Sequence, residues 1–562
     1  MRNLLYIILS VICLSSCLDE DPKYSLNSKT VYTDVRTAKM ALNGCYGEMT
    51  TNNTYGQAIQ ELFIGASGLS WGQTKDDDID RYTSLDVSPS SPILSQYWNG
   101  SYATIKNCNF FIRDIQSSNL NADVISQFLG EAYFIRGLMY FNLLTTFGEV
   151  PLRIVPTEEE TQHLKKASKA EIISQIKKDL QSALENLPEV NEVGRATCFT
   201  AKAFLTKLYW MLASAENTSS SNYWKEAKKL GDEIIQSNKY ELEPNFESLF
   251  VNHINNSKEV IFQLNFTTFS ESSGNRGNWL FAPQKATSGV SWGRNRVSKA
   301  FHDWFKGTYP DDPRYEHTFL THWINTNNKK DIYSYPFLMT NDLGLLEIQY
   351  NTAADPTNPK LEDQHKRIQN QIGKPKGDHN GWPFYKKQID FISDAQKSNK
   401  NLILFRYADF LLMMADVENE LGNQTEAIKY INKVLTRART SNGNNTAIYP
   451  KNISEGTSQE DLRMLIFQER LFELAGEPSM YTDVRRRGIE FLKVILERHN
   501  NHNITNEIAT NKDLGTHNFR ERLFKNGSLT DDFLKKNLLL PIPISEINGN
   551  NELTREDQNF GY

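Results

Sequence analysis

The chain has 562 residues, with 62 Lys and Arg against 68 Asp and Glu and only five cysteines. Its 30 Gly and 19 Pro exclude a collagen-like or low-complexity chain, and a net charge of −6 without a basic block argues against nucleic acid as the main partner. This length suits two or more domains, or one large repeat scaffold. Hydrophobic residues are 39% of the chain, yet aromatics reach 11% through 30 Phe, 24 Tyr and 9 Trp. Cores absorb most such rings because each buries a large area; an exported polar protein also displays some.

The N-terminus carries an address. Arg2 gives a short positive start, Leu4 to Leu14 form an apolar run, and Leu14-Ser15-Ser16-Cys17 closes it. The run is too short to span a bilayer and reads as an export signal over 1–16. The small residues before Cys17 resemble a bacterial lipobox, which predicts acylation of that cysteine; an ordinary signal peptide cleaved elsewhere is the alternative. Acyl chains hold a soluble body at a membrane, each buried methylene contributing about 0.8 kcal/mol. Leu18-Asp19-Glu20-Asp21-Pro22 then opens an acidic tether over 17–32 that anionic headgroups would not attract. Cys45, Cys108 and Cys198 are far apart among apolar residues and read as small core residues.

Residues 33–240 are helical by periodicity. Val35, Ala38, Leu42, Cys45 and Met49 recur at three- and four-residue steps within Tyr32 to Met49. Tyr97 to Ile115 repeats the pattern, and 122–147 follows. Ser168 and Glu171 form a capping-box signature for 168–187, which Pro188 stops. Further helices are predicted from about Thr200 to Ala213 and from Tyr223 to Gln236. From 241 to 400 the pattern breaks into turn-rich stretches and short strands, Val260 to Leu264 among them. So long a stretch without regular packing predicts a functional, partly ordered insert. Helices resume over 401–562, with 405–421 and 425–438 joined by Gly422-Asn423 into an antiparallel pair and another helix from Ser458 to Ala475. The fold class expected is mainly α: a tetratricopeptide-like helical-repeat scaffold with an irregular, loop-rich insert carrying short strands.

Four segments carry a family resemblance. Glu131-Ala132-Tyr133-Phe134-Ile135-Arg136-Gly137-Leu138-Met139-Tyr140-Phe141, with Phe147-Gly148-Glu149-Val150-Pro151-Leu152 after it, resembles the hallmark segment of SusD/RagB proteins. Phe405-Arg406-Tyr407-Ala408-Asp409, Gln468-Glu469-Arg470-Leu471-Phe472-Glu473 and Leu540-Pro541-Ile542-Pro543-Ile544 are similar to later family segments, in family order. The chain departs from the pattern at Glu477-Pro478-Ser479-Met480-Tyr481, where Pro478 and Met480 remove polar partners. Glu131, Arg136, Arg406 and Asp409 lie in apolar helices, where unpaired burial costs several kcal/mol per ion, so interhelical ion pairs are expected of them. The resemblance implies a cell-surface lipoprotein of the outer membrane, anchored through Cys17. It implies capture of nutrient, usually glycan, and delivery to a SusC-like TonB-dependent transporter. It brings no catalytic residues, metal or cofactor.

Sugars offer flat C–H faces above rings of hydroxyls, so a binder wants displayed aromatics flanked by amides, carboxylates and Arg. Trp71, Asp76, Asp78 and Arg81 share one polar stretch; Trp98 and Asn99 follow on a helix; Trp279, Trp292, Arg294 and Trp382 mark the middle of the chain. These are the candidate ligand residues. Core packing is the competing reading for Trp98, which has helical spacing with Tyr102, and for Trp71, Trp292 and Trp382, which neighbour Gly in turn-rich sequence. Trp210, Trp224 and Trp304 read as packing. Asp76-Asp77-Asp78-Ile79-Asp80 invites a calcium reading, but Arg81 and Val87 stand where a turn glycine and a closing Glu belong. The ten histidines show no HExxH. Two other functions remain open: peptide capture as in RagB-like members, which would favour backbone-pairing grooves, and an all-α glycoside hydrolase, which needs two carboxylates about 5–9.5 Å apart.

Overall fold

The computed structural model describes residues 31–72, 78–158, 162–251, 257–268, 274–283, 286–287, 291–324, 326, 332–334, 383–393, 397–444, 446–501 and 529–562. Cys17, the tether up to residue 30, Asp76 and Trp382 lie outside them. Among the described residues no helix is long and apolar enough to cross a membrane.

The N-terminal half is a run of helices: α1 (Val35–Met49), α2 (Ala58–Gly65), α3 (Asp78–Thr83), α4 (Pro92–Ile115), α5 (Ala122–Phe147), α6 (Lys169–Asn186), α7 (Cys198–Glu216) and α8 (Asn222–Gln236). Their ends are written in the sequence. Asp34 accepts from the backbone of Arg36 and Thr37, and Ser168 with Glu171 closes the expected capping box. Leu187, ahead of Pro188, is already extended at φ −85°, ψ 143°. α5 is buried nearly all round, which explains why the hallmark segment reads as apolar rather than amphipathic. Cys45 and Cys108 are buried in the same core.

The C-terminal half returns to helices in α12 (Tyr407–Glu420), α13 (Gln424–Thr440), α14 (Gln459–Glu473), α15 (Met480–Asp483), α16 (Ile489–Asn501), α17 (Asp531–Lys536) and α18 (Ile544–Gly549). One boundary differs from the periodicity. Residues 402–406, expected at a helix start, form strand β8 (Leu402–Arg406), antiparallel to β2 (Val260–Leu264). Leu402, Ile403, Phe405 and Arg406 are buried and Leu404 half-buried, so the strand is covered on both faces. β2 and β8 also close the core: Phe262 lies 4.9 Å from Phe134 on α5, and Phe405 lies 5.2 Å from Phe204 on α7.

Between the halves, β1 (Ser70–Gly72), β3 (Asn295–Val297), β7 (Phe384–Tyr385) and β4 (Phe319–Leu320) make a small antiparallel sheet in the order β1-β3-β7-β4. A second pair joins β5 (His322–Ile324) to β6 (Ile332–Ser334). Short helices α9 (Gly277–Phe281), α10 (Lys299–Thr308) and α11 (Tyr315–Thr318) pack around the sheet. This region has its own apolar core, shared with α14 and α16. Trp304 is partly buried there, 5.0 Å from Phe472, and Trp210 and Trp224 are buried in the helical core.

The charges inside the apolar helices are paired. Arg136 is held by Asp179 at 2.7 Å and Glu131 by Arg195 at 2.8 Å. Around α14, Arg314, Arg406, Arg437 and Lys387 meet Asp312, Glu259, Glu469, Glu473 and Glu477, all in the interior. Glu477 pairs with Arg406 and Lys387, while Met480 is core. Five carboxylates face four cations in this cluster. The surplus falls on Glu469, whose carboxyl burial pushes up to about 7, with Glu473 and Asp312 nearby adding to the rise against Arg314. A carboxyl raised from an ordinary 4.5 favours the folded state most below pH 4.5 and loses that contribution as pH rises through 7. The size is roughly 3 kcal/mol at about 1.4 kcal/mol per unit. Glu469→Gln should therefore flatten the fall in stability between pH 4.5 and 7; urea midpoints across that range that fall as steeply as the wild type's would contradict it.

Candidate functional site

The candidate face is built on the segment carrying Trp279 and Trp292. Residues 274–279 are stitched to Asp390, Ser398 and Lys400 by side-chain and backbone hydrogen bonds. Asn275 Nδ2 donates to Lys400 O at 2.9 Å, and the Asn275 and Ser398 backbones pair at 3.0 and 2.8 Å. Asn278 clamps Asp390 from both sides, donating to its carbonyl at 2.8 Å and accepting from its N–H at 2.6 Å. Lys400 Nζ donates to Ile389 O at 2.8 Å. Asp390 Oδ1 then accepts from the N–H groups of Ile392 and Ser393, closing a turn that carries Phe391 and Ile392 outward. Phe391 is 43% exposed and Ile392 80%. Large apolar side chains on so firmly held a turn are a displayed surface.

Trp279 is half-buried beside this turn. Arg294 lies over its ring at 4.8 Å and Arg276 at 5.5 Å from the centroid. Trp292, 44% exposed, donates its backbone N–H to Trp279 O at 3.3 Å. Between Trp292 and Arg294 stands Gly293 at φ +53°, where a Cβ would lie 2.6 Å from the Phe384 ring. Only glycine fits both the conformation and the space.

A buried carboxylate stands behind the arginines. Glu61 on α2 accepts from Tyr82 Oη at 2.6 Å and from Gln57 Nε2 at 2.9 Å, and lies 3.8 Å from Arg294. Gln57 Oε1 accepts from Arg276 Nη1 at 2.7 Å. Burial pushes the Glu61 carboxyl up, against Arg294, Gln57 and Tyr82, which pull it down. Burial also lowers Arg276.

The structure brings together Trp279, Trp292 and Arg294 and leaves other candidates elsewhere. Trp71 is a correction. It is 3% exposed, paired with Arg296 across β1 and β3, because a strand covered on both faces has no displayed side. Trp98 is a second correction: it is 2% exposed, donates Nε1 to Glu546 at 3.2 Å and packs on Phe147 at 5.0 Å. Asn99 beside it is exposed and lines a cavity of about 300 Å³ with Tyr102, Lys106, Arg153 and Glu546. Polar groups at that cavity hold the fold: Glu546 also accepts from Asn550, and Tyr102 donates to Pro151 O. Asp78 is half-buried and accepts from Ser91, the cap of α4. Arg81 is exposed on α3. Among the described residues no three His, Cys, Asp or Glu side chains are grouped to hold a metal.

Sequence reading missed Arg276, Gln57, Glu61, Phe391 and Ile392. Glu61 gives no signal at all, since it sits in a helix buried on every side and meets Tyr82 and Arg294 from other segments.

Comparison with known proteins fits this architecture. The family model described as "SusD family" matches residues 258–562, and one described as "Starch-binding associating with outer membrane" matches 16–210. The chain is similar to SusD-like protein P2 of Formosa agariphila, 26% identical over 505 residues, 85% of this chain and 89% of that one. A solved SusD homolog from Bacteroides thetaiotaomicron superposes with a TM-score of 0.74 at 20% identity, covering 97% of this chain and all of the other. A laminarin-binding SusD-like protein superposes at 0.66 and 21% identity, covering 94% of this chain and all of that one. With the matched segment running from β2 to the C-terminus, more than half of its length, the chain belongs to the SusD family.

Proposed function

We propose that this protein is a non-catalytic, glycan-capturing lipoprotein. It is acylated at Cys17, faces the cell exterior and delivers oligosaccharide to a SusC-like TonB-dependent transporter. Residues 33–240 and 401–562 supply the helical scaffold, and 241–400 carry the ligand face. The observation that carries the reading is the Trp279 ring framed by two guanidinium groups, with exposed Trp292 beside it on a rigid mount. Aromatic surface suits the C–H face of a sugar, and guanidinium donors suit its hydroxyls. The laminarin-binding relative supports glycan as the class.

The test is isothermal titration against starch, laminarin and xyloglucan oligosaccharides with an oligopeptide control. Heat should appear with a glycan, and chromatography after long incubation should show the sugar intact. Shortened products would overturn the non-catalytic reading, and heat from the peptide alone would move the function to peptide capture.

A further inference from the structure

We infer that Glu61 is the positioning residue of this face, a buried carboxylate that attracts Arg294 by charge from 3.8 Å and holds Arg276 through Gln57 at the Trp279 ring. The inference rests on the glycan-capture reading for its role in affinity, while its geometry stands on the residues themselves.

Glu61 is 2% exposed and sits on a helix that is buried along its whole length, so its place is fixed by packing rather than by its own rotamers. Its backbone is held as well, the carbonyl accepting from Asn295 Nδ2 at 3.1 Å. Gly65, one turn on, lets the Tyr82 ring cross the helix: a Cβ there would lie 2.4 Å from Tyr82 Cε2. The Tyr82 hydroxyl is thereby delivered to Glu61 Oε1, leaving Oε2 for Gln57. Gln57 passes the constraint on, since its Nε2 is committed to Glu61 and its Oε1 therefore faces Arg276 Nη1. Arg276 is anchored at its own backbone too, donating N–H to Gly56 O at 3.0 Å. The Glu61–Gln57 relay thus orders Arg276, and the charge of Glu61 biases Arg294, two long side chains that would otherwise lose more rotamer freedom on meeting a ligand. Pre-ordering of this kind is what separates a precise site from one that is present but loose.

Two variants and two readouts test this. Glu61→Gln keeps the shape but removes the charge facing Arg294; Gln57→Met leaves Glu61 intact and cuts the arm to Arg276. Trp279 is read without any ligand as the difference in emission between each protein and its Trp279→Phe counterpart. Acrylamide quenching of that difference should rise in both variants, about twofold in Glu61→Gln, where Arg294 loses its counter-charge, and less in Gln57→Met, where Arg276 alone leaves the ring. Unchanged quenching in both would overturn the inference whether or not a sugar binds. Affinity is read by titration with maltoheptaose, laminarihexaose and a xyloglucan heptasaccharide. For whichever of these binds the wild type, affinity should fall about tenfold in Glu61→Gln, with the melting midpoint held within a few degrees. Wild-type affinity in both variants overturns the positioning role. If none of the three sugars binds the wild type, the glycan reading fails on these probes and the quenching result alone decides the geometry.

Discussion

Replacing Arg406 by Met is expected to cost about 3–5 kcal/mol of folding free energy or to prevent folding. Arg406 is fully buried and reaches Glu259 at 2.9 Å, Glu473 at 2.5 Å and Glu477 at 2.8 Å, with a further bond to Glu473 O. Its loss strands carboxylates with no water to receive them. Arg437 and Lys387 keep part of the cluster neutral, yet the surplus of acid there already falls on Glu469 and would grow by one. The comparison is Arg113→Met, which removes an exposed pair with Asp114 and should change stability by no more than about 0.5 kcal/mol. Urea unfolding of both variants checks the contrast. A loss below about 1 kcal/mol for Arg406→Met would mean that the cluster reorganises or admits water.

The second large effect separates two tryptophans that look alike in sequence. Trp71→Ala should destabilise the fold by about 3–5 kcal/mol, because the ring fills the core of the small sheet and its removal leaves a cavity. Trp292→Ala should leave stability nearly unchanged and lower glycan affinity at least about tenfold, as expected for an exposed anchor at a recognition surface. Thermal melts and titrations on the same two proteins decide the matter. Equal melting midpoints would contradict the burial of Trp71, and equal affinities would place the ligand away from Trp292.

The scaffold was legible in the sequence because helices announce themselves locally. The capping box at Ser168 and Glu171, the stop at Pro188 and the hallmark run through α5 are all signals within a few residues of the structure they specify. The charges of the hallmark segments also read correctly as needing partners, although the partners came from afar: Asp179 for Arg136, and Glu259 for Arg406. The strand at 402–406 was hidden because a short apolar run has no period long enough to distinguish strand from helix. The ligand face was legible in part. Glycine beside tryptophan marked Trp292 as displayed, yet the same signal misplaced Trp71, whose Gly72 ends a buried strand. The relation of Gln57 and Glu61 to Arg276 could not be read, since it is a contact between segments 219 residues apart.

The four rings of Phe134, Phe262, Phe204 and Phe405 have a consequence for how the chain can be divided. Residues 240 and 400 divide the sequence, but they do not divide the folding unit. A fragment ending near 240 would hold Phe134 and Phe204 against water, and one beginning near 258 would do the same for Phe262 and Phe405. Neither piece should be soluble alone, and the two should recover each other when refolded together. Insertions in the middle of the chain that leave Phe262 in place keep this ring packing intact.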